Sequence, residues 1–105
     1  MVKICATKKE FDDELEGAGD KLVAVDFTAS WCGPCQRIGP KFVEFATQYT
    51  EVVFLKVDVD ENAETAEWAG IEAMPTFKFY KNKEQVDELV GASEQALKDK
   101  IESNK

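Results

Sequence analysis

Apolar positions along the chain follow two rhythms that alternate from end to end. Residues 22–28, Leu-Val-Ala-Val-Asp-Phe-Thr, and 52–59, Val-Val-Phe-Leu-Lys-Val-Asp-Val, are nearly unbroken apolar runs, as expected of strands covered on both faces. Residues 2–6 form a shorter candidate strand, and Thr76–Tyr80 alternates so that Phe77 and Phe79 share a face. Val86–Val90 reads as its hairpin partner across Asn82-Lys83-Glu84, a turn without the favoured Asn-Gly. Between these runs the spacing becomes helical: Phe11, Leu15 and Ala18; then Ile38, Phe42, Phe45 and Tyr49; then Leu97 and Ile101. Residues 62–69 predict a short fourth helix.

The helix starts carry their own signals. Thr7 with Glu10 spells a capping box, and Asn62 and Ser93 are capping residues for the later helices. Gly17 and Gly19 close the first helix, whereas Pro40 inside the second, running from about Cys32 to Tyr49, predicts a kink. The order β-α-β-α-β-α-β-β-α predicts an α/β fold with a mixed sheet and helices on both faces. At 105 residues, the expectation is one domain spanning 1–105.

Charge narrows the partners. A net charge of −8 with no basic stripe disfavours nucleic acid and anionic lipid surfaces. Neither a signal-peptide pattern near Met1–Gly17 nor a membrane-length apolar run is present, so the cytoplasm is the expected location. The acidic group Asp12, Asp13, Glu14 and Glu16 reads as a solvated helix face. Asp58-Val-Asp-Glu-Asn62 opens like a calcium loop, but Ala63 and Ala69 stand where that loop needs glycine and glutamate.

Histidine is absent and there are three cysteines. That removes Ser–His and Cys–His nucleophile pairs, and Cys5, Cys32 and Cys35 alone cannot complete a tetrahedral zinc site. No metal is expected. Cys32 and Cys35, two residues apart at a strand-to-helix boundary in Trp31-Cys-Gly-Pro-Cys35, point instead to thiol–disulfide exchange. The attacking species in that chemistry is a thiolate, which unpaired N–H groups at a helix start stabilise at Cys32. Cys35, one turn on, can close an internal disulfide; Gly33 permits close backbone approach and Pro34 stiffens the turn. Asp26 interrupts a buried strand. It is either satisfied by local donors or a carboxyl with a raised pKa that exchanges a proton with Cys35. Lys56, on the neighbouring strand, either pairs with Asp26 or reaches to solvent. Cys5 reads as a buried, inert thiol in a monomer; an exposed thiol linking a dimer is the alternative.

Taken together, Val25-Asp-Phe27, Ala29-Ser-Trp-Cys-Gly-Pro-Cys35, Pro40, Lys56-Val-Asp-Val-Asp60, Met74-Pro-Thr-Phe77 and Gly91-Ala92 resemble the thioredoxin family over essentially the whole chain. The resemblance implies a five-stranded sheet of order 1-3-2-4-5 flanked by four helices. It implies that Cys32 and Cys35 are the redox pair and that Asp26 lies behind them. It further implies a cis peptide before Pro75, and a docking surface made of Trp31, Met74, Pro75, Gly91 and Ala92 that takes an extended client segment by strand addition. The implied function is protein disulfide reduction without a bound cofactor, with disulfide-containing client proteins and an NADPH-dependent flavoprotein, thioredoxin reductase, as partners. A disulfide oxidant or isomerase, and a redox-dependent binding module, are the competing readings. Positions where some relatives carry extra cysteines hold Asn62, Ala69 and Ala73, so regulation through those cysteines is not expected.

Overall fold

The computed structural model describes residues Met1–Lys105. In the run Val23–Thr28 (β2) every residue is buried, which places this strand at the centre of the sheet. It pairs in parallel with β3 (Val53–Asp58) on one side and antiparallel with β4 (Thr76–Lys81) on the other. The short β1 (Val2–Ile4) extends the sheet beyond β3, and β5 (Glu84–Val90) extends it beyond β4, giving the order β1-β3-β2-β4-β5. Four helices connect the strands: α1 (Lys8–Ala18), α2 (Gly33–Gln48), α3 (Ala63–Ala69) and α4 (Glu94–Asn104).

Strand parity decides which helices lie where. Ala24, Phe54, Phe77 and Phe79 turn to the face covered by Ile38, Phe42 and Phe45 of α2 and Leu97 and Ile101 of α4. Val23, Val25, Phe27, Leu55 and Val57 turn to the other face, against Phe11, Leu15 and Ala18 of α1. The Phe42 ring meets Phe54 and Phe77 at centroid distances of 5.2 and 5.6 Å. Such pairs add about 0.5–1.5 kcal/mol each beyond the area they bury. Helix α2 is held against this face by Ile38, Phe42 and Phe45.

Two details differ from the sequence reading. β1 ends at Ile4 rather than residue 6: the Cys5 N–H still donates to the Lys56 carbonyl at 2.9 Å, but Thr7 is already the cap of α1. β5 begins at Glu84, earlier than Val86, because Asn82 and Lys83 both take positive φ (53° and 69°) and close the hairpin with two residues. Helix α2 runs from Gly33 to Gln48 with Pro40 inside it, close to the bounds expected from the sequence, and the missing N–H of Pro40 leaves one ladder bond unmade.

The caps form as their chemistry demands. Thr7, Asn62 and Ser93 accept from the N–H groups of Glu10, Thr65 and Ala96. The box at Thr7 is only half made, since the Thr7 hydroxyl donates to the Glu10 carboxylate at 3.3 Å. The calcium-like acidic stretch has a local use: Asp58 accepts from the Asp60 and Glu61 N–H groups at 2.8 and 3.1 Å, turning the chain towards α3.

Candidate active site

β2 ends at Thr28, and the chain reaches α2 through Ala29-Ser-Trp31. The Ala29 carbonyl accepts twice, from the Cys32 N–H at 3.2 Å and from Gln36 Nε2 at 2.9 Å. Gln36 thus pins the loop that presents Cys32. Cys32 is the N-cap of α2 and its Sγ accepts from the Cys35 N–H at 3.2 Å. Pro34 sits in the first turn, where its absent N–H costs nothing. Cys32 and Cys35 are joined as a disulfide with Cα atoms 5.3 Å apart. Cys32 retains 7% exposure and Cys35 2%, so the first is the sulfur within reach of a partner.

Behind the pair, Asp26 shares the parity of Ala24 and so faces the α2 side of the sheet. Its Oδ1 has no hydrogen-bond partner in the protein, so local donors do not satisfy the carboxyl. Burial pushes its pKa from 3.8 up to about 7, and the charge of Lys56 offsets only part of that rise. Asp26, Thr28, Cys35, Gln36 and Lys56 line one cleft of about 280 Å³. Lys56 stands opposite Asp26 in the strand register, yet the chain's ion pairs do not include these two. The lysine is exposed and its ammonium keeps its water, which outweighs pairing with a buried carboxylate.

The surface around Cys32 is assembled from distant segments. Met74 packs against Ala29, Cys32 and Cys35, and the Met74–Pro75 peptide is cis. The Gly91 N–H donates to the Pro75 carbonyl at 2.9 Å, tying the loop after β5 to the loop before β4. Gly91 has φ +113°, which a side chain would strain. Ala92 beside it is exposed. Trp31 is 66% exposed, with its indole N–H donating to Asp60 at 2.8 Å. Asp60 and Gln36 are contributors that the sequence reading did not pick out as site residues: no spacing rule links residue 60 to residue 31, and Gln36 carries no chemical signature.

This constellation is a redox-active cysteine pair at a helix start, backed by a buried carboxyl and bordered by a cis-proline loop. The family model described as thioredoxin matches residues 2–103. The chain belongs to the thioredoxin family. It is 59% identical to a thioredoxin of Geodia cydonium, with all of both chains covered. Against thioredoxin 1 of Plasmodium falciparum the identity is 52%, over 97% of this chain and 96% of that one. The X-ray structure of Fasciola hepatica thioredoxin superposes with a TM-score of 0.97 at 41% identity, covering 98% of this chain and 99% of that chain. As a family member the chain is a thiol–disulfide oxidoreductase, and its Cys32–Cys35 pair is that of a protein disulfide reductase. No three His, Cys, Asp or Glu side chains are grouped to hold a metal ion. No helix is long and apolar enough to cross a membrane.

Cys5 is not part of the site. It is 1% exposed on the α1 side of the sheet, and burial, reinforced by the Glu14 charge, pushes its thiol up to about 11. A thiol so placed reacts slowly. Native protein treated with a thiol-alkylating reagent after reduction is expected to label Cys32 quickly and Cys5 only after denaturant is added. Rapid labelling of Cys5, or a disulfide-linked dimer that Cys5→Ser abolishes, would contradict this.

Proposed function

We propose that residues 1–105 form one thioredoxin domain working as a cytoplasmic protein disulfide reductase, in which Cys32 attacks, Cys35 resolves and Asp26 takes the proton. The observation that carries the assignment of roles is the asymmetry of the pair: Cys32 caps α2 at the surface, while Cys35 lines a cleft with Asp26.

The reduced pair acts in two exchanges. The Cys32 thiolate, stabilised by the helix start, attacks one sulfur of a client disulfide; the new mixed disulfide forms as the client's other sulfur leaves as a thiolate. Cys35 then gives its proton to the Asp26 carboxylate and attacks Cys32 Sγ. The mixed disulfide breaks, the second client thiolate leaves, and Cys32–Cys35 closes. Two electrons have passed from the dithiol to the client. A carboxyl with a pKa of about 7 is suited to this step, being partly ionised near neutrality and able to accept and return the proton.

Trp31, Met74, Pro75, Gly91 and Ala92 are proposed to hold an extended client segment across Cys32, supported by the links already described between their loops. Gly33 is exposed, and a Cβ there would meet only Arg37 at an ordinary 3.8 Å. The fold itself therefore does not demand glycine, in keeping with a position left bare for an approaching client backbone. Lys56 is assigned a minor role, moderating the Asp26 pKa through its charge.

The proposed electron source is an NADPH-dependent flavoprotein thioredoxin reductase, acting in trans, and the proposed workplace is a reducing compartment. NADPH consumption in the presence of a generic thioredoxin reductase and a model protein disulfide is expected to be robust. Consumption that is absent while dithiothreitol-reduced protein still reduces the substrate would reject that partner. Oxidation of reduced clients in a cytosol-like glutathione buffer would favour the oxidant reading instead.

A further inference from the structure

Arg37 is the chain's one arginine. It is exposed on α2, one helical turn beyond Gly33, and its Nη1 lies 3.8 Å from where a Cβ on Gly33 would stand. The guanidinium is therefore folded back over the turn between the two cysteines. All nine ion pairs of the chain use lysines; none uses Arg37. The next cation along the helix, Lys41, is tied to Glu44 at 3.3 Å. On a protein of net charge −8, a single unpaired guanidinium thus lies against the bare backbone that borders the attacking sulfur. On the other side of Cys32 in sequence, Trp31 is anchored to Asp60. The immediate charges around the site therefore have opposite signs.

From this placement we infer that Arg37 is a specificity-determining residue of the reductase, favouring clients that carry a carboxylate next to the disulfide. The inference rests on the reductase reading above. A planar guanidinium offers two parallel donors that match a carboxylate, and it is always charged. The overall negative charge repels acidic clients at long range, so a cation at the point of contact changes which sequence around the disulfide is accepted.

The test uses three disulfide-bonded peptides that differ only in having Glu, Gln or Lys beside the reactive cysteine, reduced by the whole protein at low ionic strength. Arg37→Gln is expected to lower the Glu-to-Lys ratio of kcat/KM about two- to five-fold, the range an exposed charge pair supports. It is expected to leave the Gln peptide unchanged. Lys21→Gln alters net charge equally in the loop just before β2, away from the cysteines, and is expected to keep the wild-type ratio. The wild-type preference is expected to fade near molar salt, where screening acts over about 3 Å. Equal losses on all three peptides would mean that Arg37 acts on Cys32 itself, and no change on any would mean that it contacts no client. Either result overturns the proposal. Failure of the wild-type protein to reduce even the Gln peptide would overturn the reductase reading, and this inference with it.

Discussion

Reduced protein carrying Cys35→Ser is expected to accumulate client proteins as covalent mixed disulfides on Cys32, whereas Cys32→Ser accumulates none. The expectation follows from where the sulfurs stand. Cys32 caps α2 with residual exposure, so it can meet a client sulfur; Cys35, at 2% exposure, cannot. Once a mixed disulfide has formed, Cys35 is held within one helical turn of it. Such an intramolecular attack carries an effective concentration on the order of 10⁵ M or more when well oriented. Removing Cys35 therefore lengthens the life of the adduct by orders of magnitude, while removing Cys32 prevents its formation. Non-reducing gels and mass spectrometry of the trapped species give the answer. Trapping by both variants, or by neither, would contradict the assigned roles.

Asp26→Asn is expected to stabilise the fold at alkaline pH while slowing resolution of the mixed disulfide. In the native state the carboxyl holds its proton up to about pH 7, whereas its ordinary value is 3.8. Between those limits the folded protein binds a proton that the unfolded chain has released. Stability therefore falls as pH rises through that window, and above it the full cost of a buried charge is present. A rise of about three pKa units corresponds to roughly 4 kcal/mol. The amide introduced by Asn brings donors that need partners and offsets about 1–3 kcal/mol of the gain. Denaturant titrations are expected to show the variant's advantage growing between pH 4 and pH 8, to about 1–3 kcal/mol. An advantage that does not change with pH would show that Asp26 titrates normally. The kinetic deficit is expected to shrink as pH rises, because Cys35 then loses its proton without help.

Much of this was legible before the structure. The uninterrupted apolar runs around Val25 and Leu55 located the two central strands, because only strands buried on both faces tolerate such sequences. Alternation along a strand sets Asp26 on the face of Ala24, and the structure has that face against α2, where Cys35 lies. What escaped the sequence depended on contacts between remote residues. The indole of Trp31 finds Asp60 across 29 positions. The Pro75 carbonyl receives the Gly91 N–H because β4 and β5 return those two loops to the same end of the sheet. For Lys56, strand adjacency leaves pairing with Asp26 and reach to solvent both open, because adjacency cannot weigh the hydration an ion pair loses. The hairpin at Asn82-Lys83 was missed at its edge because a lysine at positive φ has no strong sequence signal.

Electron transfer from Cys32 and Cys35 to a protein disulfide underlies every role assigned above. It is tested most directly by mixing fully reduced protein with one equivalent of an oxidised model protein, with no other reductant present, and counting thiols on both. The client is expected to gain two thiols as Cys32 and Cys35 close, Cys5 to remain a thiol throughout, and Cys32→Ser to transfer nothing. Unaltered thiol counts in the wild-type mixture, or equal transfer by Cys32→Ser, would contradict it.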